Sequence, residues 1–115
     1  KKAKIQINNN FENMDKIFKK KNDLIMSSIT GLSGLEPTLM SIKFTKKILI
    51  ANKEAIICGW NLLSKEFIKH KTQFIPIDSE HFSIWKLLKN ENINNVKKIY
   101  LTASGGPFLN KKNLN

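Results

Sequence analysis

Short apolar segments alternate with longer segments of helical periodicity along most of this chain. The apolar segments predict strands over residues 23–29, 46–52, 73–77 and 96–103. The periodic segments predict helices over residues 9–21, from near Pro37, over 53–71 and over 79–90. This alternation is typical of an α/β fold with a mostly parallel sheet, in which right-handed crossovers join the strands.

The pattern also predicts which residues are buried. The strand at 46–52 is apolar from Ile48 to Ala51, as expected of a strand covered on both faces. The next helix has an apolar stripe of Ile56, Trp60, Leu63 and Phe67, and the last helix has one of Phe82, Trp85 and Leu88. The first helix is expected to be capped by Asn9 or Asn10 and to present Phe11, Met14, Ile17 and Phe18 on one face.

Polar clusters directly follow three of the predicted strands. They read "ANKE" at 51–54, "DSEH" at 78–81 and "SGGP" at 104–107. Ligands of parallel α/β sheets bind outside the carboxyl ends of the strands. We therefore expect the three clusters to meet at one edge of the sheet and to form a site there.

Composition limits the classes of function. The chain has 115 residues and a formal net charge of +11, and all 20 basic residues are lysine. Arginine makes the most frequent specific base contact and pairs bidentately with phosphate, so its absence argues against nucleic-acid binding. A lysine-rich module that binds polyanions remains the alternative function, and its binding would weaken linearly with the logarithm of salt concentration.

Cysteine and hydropathy exclude further classes. The single cysteine, Cys58, excludes an internal disulfide and a cysteine-based zinc cluster, and it fits a reducing compartment. We expect Cys58 to be a small buried hydrophobe rather than a nucleophile. No apolar run approaches the roughly 20 residues that span a bilayer, and no signal peptide opens the chain.

The "DSEH" cluster has two interpretations. Asp78 and Glu80 can hold a hard divalent cation such as Mg²⁺ or Mn²⁺ through their carboxylate oxygens. Alternatively, Asp78 or Ser79 caps the following helix and Glu80 lies in its first turn, where the helix dipole favours an acid. His81 is either a ligand or base, or a structural residue at the start of the helix.

The other two clusters are also open to two interpretations. Lys53 can meet an anionic substrate as a point charge, or it is a solvated residue at a helix start. Asn52 is a plausible helix cap, and Glu54 an ordinary first-turn acid. The glycines beside Ser104 can form an anion-binding nest of backbone N–H groups, or a tight turn without function.

Four motifs together resemble one family. The segments "GLEPTL", "ILIANKEAIICGW", "IPIDSEH" and "LTASGGPF" occur in the same order and at similar separations in 1-deoxy-D-xylulose 5-phosphate reductoisomerases. The resemblance covers about residues 23–110. It implies a rearrangement of the carbon skeleton of 1-deoxy-D-xylulose 5-phosphate followed by hydride transfer from NADPH, which gives 2-C-methyl-D-erythritol 4-phosphate for non-mevalonate isoprenoid biosynthesis.

The resemblance implies a role for each matching residue. Lys53 and Glu80 are the implied catalytic residues, and Asn52 and Glu54 are implied to lie near NADPH. The implied ligands of the divalent metal (Mg²⁺, Mn²⁺ or Co²⁺) are Asp78 and Glu80. The implied substrate contacts are Lys53, Ser79 and Glu80, and Ser104 is implied to bind the phosphate. The resemblance further implies a homodimer in the bacterial cytoplasm or a plastid-type organelle, with a small phosphorylated sugar as substrate and no nucleic-acid or membrane partner.

The chain lacks several segments that are typical of the family. It contains neither a glycine-rich "GSTGSIG"-type loop nor the family's downstream lid, Asn-Lys pair and third acidic metal ligand. We therefore expect a fragment that is inactive alone. Residues 1–77 would form the second half of the NADPH-binding domain, and residues 78–115 the beginning of the catalytic domain. A different nicotinamide enzyme of doubly wound fold is a third possibility, although such enzymes need neither "DSEH" nor "SGGPF".

Overall fold

The computed structural model describes residues 4–8 and 10–102, and its regular elements alternate between helix and strand. They are α1 (Met14–Ile17), β1 (Asn22–Ser27), α2 (Leu35–Ile42), β2 (Thr45–Ile50), α3 (Lys53–His70), β3 (Gln73–Pro76) and α4 (Ser79–Leu88), with short 3₁₀ turns at Leu32–Gly34 and Ile93–Asn95. No helix of the described part is long and apolar enough to cross a membrane.

The three strands form one parallel sheet in the order β1-β2-β3. Ile48 in the central strand pairs with Ile25 on one side and Phe74 on the other. Each strand is joined to the next by a helix, as parallel pairing requires. The prediction of a mostly parallel α/β sheet is confirmed.

The core lies on one face of this sheet, beneath α2 and α3. It contains Ile42, Ile48, Ile50, Ile56, Leu63 and Phe67, with Leu35, Leu39 and Phe74 packed against it. Phe67 of α3 stacks on Phe74 of β3 with ring centroids 5.3 Å apart. Lys71, the residue that follows α3, has a left-handed conformation. The buried Thr72 hydroxyl after it lies 2.9 Å from the carbonyl oxygens of both Ile42 and Thr45.

The opposite face of the sheet exposes apolar side chains. Leu24 and Met26 in β1 are 54% and 59% exposed, and Met26 pairs with the partly exposed Leu49 of β2. Both faces of parallel sheets are ordinarily covered, whereas this face is left with exposed apolar side chains.

Two predictions about α3 were wrong in detail. Its buried residues are Ala55, Ile56, Gly59, Leu63 and Phe67. Cys58 lies outside this stripe and is exposed, which contradicts its predicted burial. Trp60 lies at the margin of the stripe with 45% exposure, and its ring edge contacts Phe67 and Phe74.

The predicted first helix and fourth strand also differ from the structure. Of the described residues 10–21 of the predicted helix, only Met14–Ile17 is α-helical, and it follows Asn13 rather than Asn10; Asn9 lies outside the described residues. Met14 is the one buried residue of α1, so there is little packing to stabilise a longer helix. The described part of the predicted fourth strand, residues 96–102, forms no strand, because it pairs with no other described segment.

Candidate functional site

The ends of β2 and β3 bring the starts of α3 and α4 together. Lys53 is the first residue of α3, and Glu80 lies in the first turn of α4. The Nζ of Lys53 lies 3.0 Å from Oε1 of Glu80. Two of the three predicted polar clusters therefore meet at the carboxyl edge of the sheet, as expected from the strand order.

Both carboxylate oxygens of Glu80 are hydrogen-bonded. Oε1 accepts from the Lys53 ammonium at 3.0 Å, and Oε2 accepts from the Ser79 hydroxyl at 2.8 Å. These bonds, the one from Lys53 first, lower the pKa of Glu80 from its ordinary 4.5 to about 2. The same hydrogen bond raises the pKa of Lys53. The cluster therefore holds an ionised acid beside an ionised base.

Asp78 both caps α4 and has one free oxygen. Its Oδ1 accepts from the His81 backbone N–H at 3.0 Å and lies 2.8 Å from His81 Nδ1, so the predicted capping role is confirmed. The side chain is only 5% exposed. Its Oδ2 is buried, and no described residue donates a hydrogen bond to it. A buried carboxylate oxygen without a donor suits a cation as its partner.

His81 contacts the site through Asp78. Because Oδ1 of a carboxylate only accepts, Nδ1 of His81 carries the proton that is donated to it. This bond fixes the ring beside Asp78, and the ring is 39% exposed. The structural interpretation of His81 explains both contacts.

The "NKE" segment places its three side chains differently. Asn52 is only 4% exposed and caps α3, because its Oδ1 accepts from the Ala55 N–H at 2.9 Å. Its predicted capping role is confirmed. Lys53 points to Glu80, and Glu54 lies exposed in the first turn of α3.

An open groove of about 950 Å³ lies beside the cluster. Lys53, Ser79 and Glu80 line it together with apolar side chains, among them Ile84, Leu88 and Tyr100. The sequence patterns assigned Phe82, Trp85 and Leu88 to the stripe of α4 and missed Ile84. The four-residue spacing of Ile84 and Leu88, which places both on one helix face, is the signal that identifies it.

The third cluster and a complete metal site are not seen in the described residues. Ser104 and the glycines beside it lie outside them. Across residues 4–8 and 10–102, no three histidine, cysteine, aspartate or glutamate side chains come together in a group that could hold a metal ion. The described site therefore consists of Lys53, Asp78, Ser79 and Glu80, with Asn52 beneath it.

Comparison with known proteins gives one family for both ends of the chain. The model for 1-deoxy-D-xylulose 5-phosphate reductoisomerase matches residues 1–59, and the model for the C-terminal domain of that enzyme matches residues 74–115. The 1-deoxy-D-xylulose 5-phosphate reductoisomerase of Pelagibacter ubique (strain HTCC1062) is 60% identical over 112 residues, which cover 96% of this chain. That of Francisella tularensis subsp. holarctica (strain OSU18) is 45% identical over 95 residues, or 80% of this chain.

A solved structure of the same family is also similar to this chain. The 1-deoxy-D-xylulose 5-phosphate reductoisomerase from Zymomonas mobilis, in complex with NADPH, superposes with a TM-score of 0.68 at 33% identity over 87% of this chain. The chain spans 29% of the Pelagibacter relative, 25% of the Francisella relative and 26% of the Zymomonas chain. The comparisons give the alternative of a polyanion-binding module no support. The chain belongs to the 1-deoxy-D-xylulose 5-phosphate reductoisomerase family.

Proposed function

We propose that the complete polypeptide containing these residues converts 1-deoxy-D-xylulose 5-phosphate to 2-C-methyl-D-erythritol 4-phosphate with NADPH and a divalent metal. Family membership supports the reaction. The observation that carries the role of this segment is the meeting of Lys53 with Glu80, next to Asp78, at the carboxyl edge of the sheet. Such an edge is where ligands of parallel α/β sheets bind.

Lys53 and Ser79 are the proposed substrate contacts of the described cluster. The Lys53 ammonium is a compact positive charge on the wall of the groove, suited to an anionic sugar phosphate. Its pKa lies above the ordinary 10.5, because of its hydrogen bond to Glu80, so it is charged across the neutral range. The Ser79 hydroxyl lines the same groove and can exchange its bond to Glu80 for one to a substrate oxygen. Ser104 is proposed to join them at the phosphate.

Asp78 and Glu80 are the proposed protein ligands of the divalent metal, Mg²⁺, Mn²⁺ or Co²⁺. The buried Oδ2 of Asp78, to which no described residue donates, fits such an ion, and the low pKa of Glu80 keeps that side chain anionic. When bound, the metal supplies Lewis acidity toward adjacent carbonyl and hydroxyl oxygens. His81 holds Oδ1 of Asp78 and thereby keeps the carboxylate oriented.

NADPH is the proposed cofactor because the Zymomonas relative is described in complex with it. The start of α3, with Asn52 and Glu54, is proposed to lie near its nicotinamide. Residues 1–77 are proposed to belong to the cofactor domain and residues 78–115 to the catalytic domain. We further propose a homodimer that acts in the cytoplasm or a plastid-type organelle, without nucleic-acid or membrane partners.

The test measures NADPH oxidation by the complete polypeptide with 1-deoxy-D-xylulose 5-phosphate and Mn²⁺. Lys53→Met and Glu80→Gln should each lower kcat/KM at least about a hundredfold, because each removes a charge from the reacting region. Lys43→Met is the matched control, since it removes a lysine whose 3.0 Å ion pair with Asp15 lies on another surface. A wild-type protein without turnover, or a control as damaged as Lys53→Met, would refute the proposal.

A further inference from the structure

The carboxamide of Asn52 joins two loops at the carboxyl edge of the sheet. Its Nδ2 donates to the carbonyl oxygen of Ile29 at 2.5 Å and to that of Gly31 at 2.6 Å, both in the loop after β1. Its Oδ1 accepts from the N–H of Ala55 in α3 at 2.9 Å. One side chain therefore connects the loop after the first strand to the helix after the second.

These contacts leave the carboxamide little capacity for a ligand. An asparagine amide has two N–H donors, and both are used by carbonyl oxygens of this chain. The residue is only 4% exposed, so a cofactor has almost no access to its side chain. Contact between this carboxamide and a nicotinamide would require the loop to be released first.

The packing around the contact is close and specific. A Cβ added at Gly34 would collide with both the Asn52 amide and the carbonyl oxygen of Ile29. Gly31 has φ 71°, a left-handed conformation that glycine adopts without strain, and its carbonyl oxygen is one of the two acceptors. The loop therefore has a conformation that depends on glycine at Gly31 and on the donors of Asn52.

We propose that the carboxamide of Asn52 is a positioning group: it holds the Ile29–Gly31 loop against the start of α3 and supports NADPH binding through that loop rather than by its own contact with the cofactor. The inference rests on the proposed function for the identity of the cofactor. The loop follows β1 at the sheet edge where ligands of this fold class bind. The residue next to Asn52 is Lys53, so the same contact fixes the backbone that carries the proposed substrate contact.

The test uses the complete polypeptide and two substitutions that disturb the contact from opposite sides. Asn52→Ser keeps an oxygen that can cap α3 but lacks the two donors. Gly31→Ala leaves Asn52 intact and strains the loop, because alanine disfavours φ 71°. Asn92→Ser is the control, since Asn92 also caps a turn, by accepting from the Asn94 N–H at 3.1 Å, but is exposed and far along the chain.

Two quantities are measured: the Kd for NADPH, by titration of protein fluorescence, and amide hydrogen exchange of residues 29–34. Asn52→Ser should raise the Kd about tenfold and accelerate exchange in the loop, because two buried carbonyl groups lose their donor. Gly31→Ala should act in the same direction. The rise in Kd of the double variant should be much smaller than the product of the two single rises, because both substitutions act on one contact. Asn92→Ser should change neither quantity.

A raised Kd with unchanged loop exchange would show that Asn52 touches the cofactor and would overturn the proposal, as would effects that multiply in the double variant. If Asn52→Ser does not fold, Gly31→Ala alone decides. Faster loop exchange without a change in Kd would show that the loop does not support NADPH binding and would overturn the proposal. A wild-type protein that binds no NADPH would refute the proposed function, whereas the exchange of the loop would still test the contact.

Discussion

The ammonium of Lys53 lies 3.0 Å from the carboxylate of Glu80, 27 positions further along the chain. The pair joins the first residue of α3 to the first turn of α4 and thereby connects the crossover helix after β2 to the helix after β3. Because both side chains are partly exposed, the ion pair contributes little to the free energy of unfolding and mainly fixes the position and charge of the two groups.

The first prediction concerns the ionisation of Glu80. Replacing Lys53 by methionine should raise the Glu80 pKa from about 2 toward 4.5, because the largest stabiliser of the anion is removed. NMR titration of the side-chain carboxyl carbon measures this pKa. Lys69→Met is the control, since Lys69 pairs with Glu66 at 3.2 Å and should leave the Glu80 titration unchanged.

The same pair predicts a pH dependence of stability. The unfolded chain has the ordinary carboxyl pKa of 4.5, and the folded pKa is lower. The stabilisation is therefore fully present above about pH 4.5 and is lost as the pH falls toward 2. Urea unfolding between these pH values should show a smaller loss of stability in Lys53→Met than in the wild type. An equal loss in both proteins would contradict this linkage.

Leu63 is predicted to be a main contributor to the core. Its side chain is fully buried between α3 and the sheet, so Leu63→Ala should lower the free energy of unfolding by about 2–5 kcal/mol. Chemical denaturation measures the change. Leu62→Ala alters the neighbouring leucine, which is 53% exposed, and should cost far less. Similar losses from both substitutions would place the core elsewhere.

Thr72 is predicted to stabilise the connection from α3 to β3. Thr72→Val keeps the shape of the side chain but removes the hydroxyl that lies 2.9 Å from two buried carbonyl oxygens. The free energy of unfolding should fall by about 1–3 kcal/mol, because a buried acceptor loses its donor. Thr30→Val, at an exposed position, is the control for denaturation measurements and should be close to neutral.

Gly34 is predicted to tolerate no side chain. A Cβ there would meet the backbone oxygen of Ile29, which cannot rotate away as a flexible side chain would. Gly34→Ala should therefore destabilise the protein by about 1–3 kcal/mol in thermal or chemical unfolding. Ser33→Ala changes the exposed neighbour, whose hydroxyl donates to the carbonyl oxygen of Thr30 three positions away, and should have little effect. A stable Gly34→Ala variant would show that the loop relaxes freely.

Topology made much of the fold and site predictable. Strand-length apolar segments separated by helices imply parallel pairing, and parallel pairing places the residues after β2 and β3 at one edge. Lys53 and Glu80 were expected there on these grounds, and the structure pairs them. The caps formed by Asn52 and Asp78 were equally predictable, because a side-chain oxygen at a helix start serves the local backbone.

Other features depend on contacts that a linear pattern does not contain. The donors of Asn52 reach carbonyl groups more than twenty positions away, and only the folded chain brings them together. Exposure of Cys58, by contrast, follows from the pattern: it lies two positions from Ile56, on the side of α3 opposite the predicted stripe, and the expectation of burial overlooked this spacing. Residues 96–102 have strand-like composition, but a strand also needs a paired neighbour, and no described segment supplies one.

The lone oxygen of Asp78 has an evolutionary consequence. A buried carboxylate oxygen to which no described residue donates is a standing source of instability, so a neutral residue of similar shape that keeps the cap at Oδ1 should yield a hardier fold. Selection for robustness alone would remove such an acid. An acid at this position, beside Lys53 and Glu80, is what we expect if thermal resilience is given up for the proposed metal binding, as functional sites commonly show.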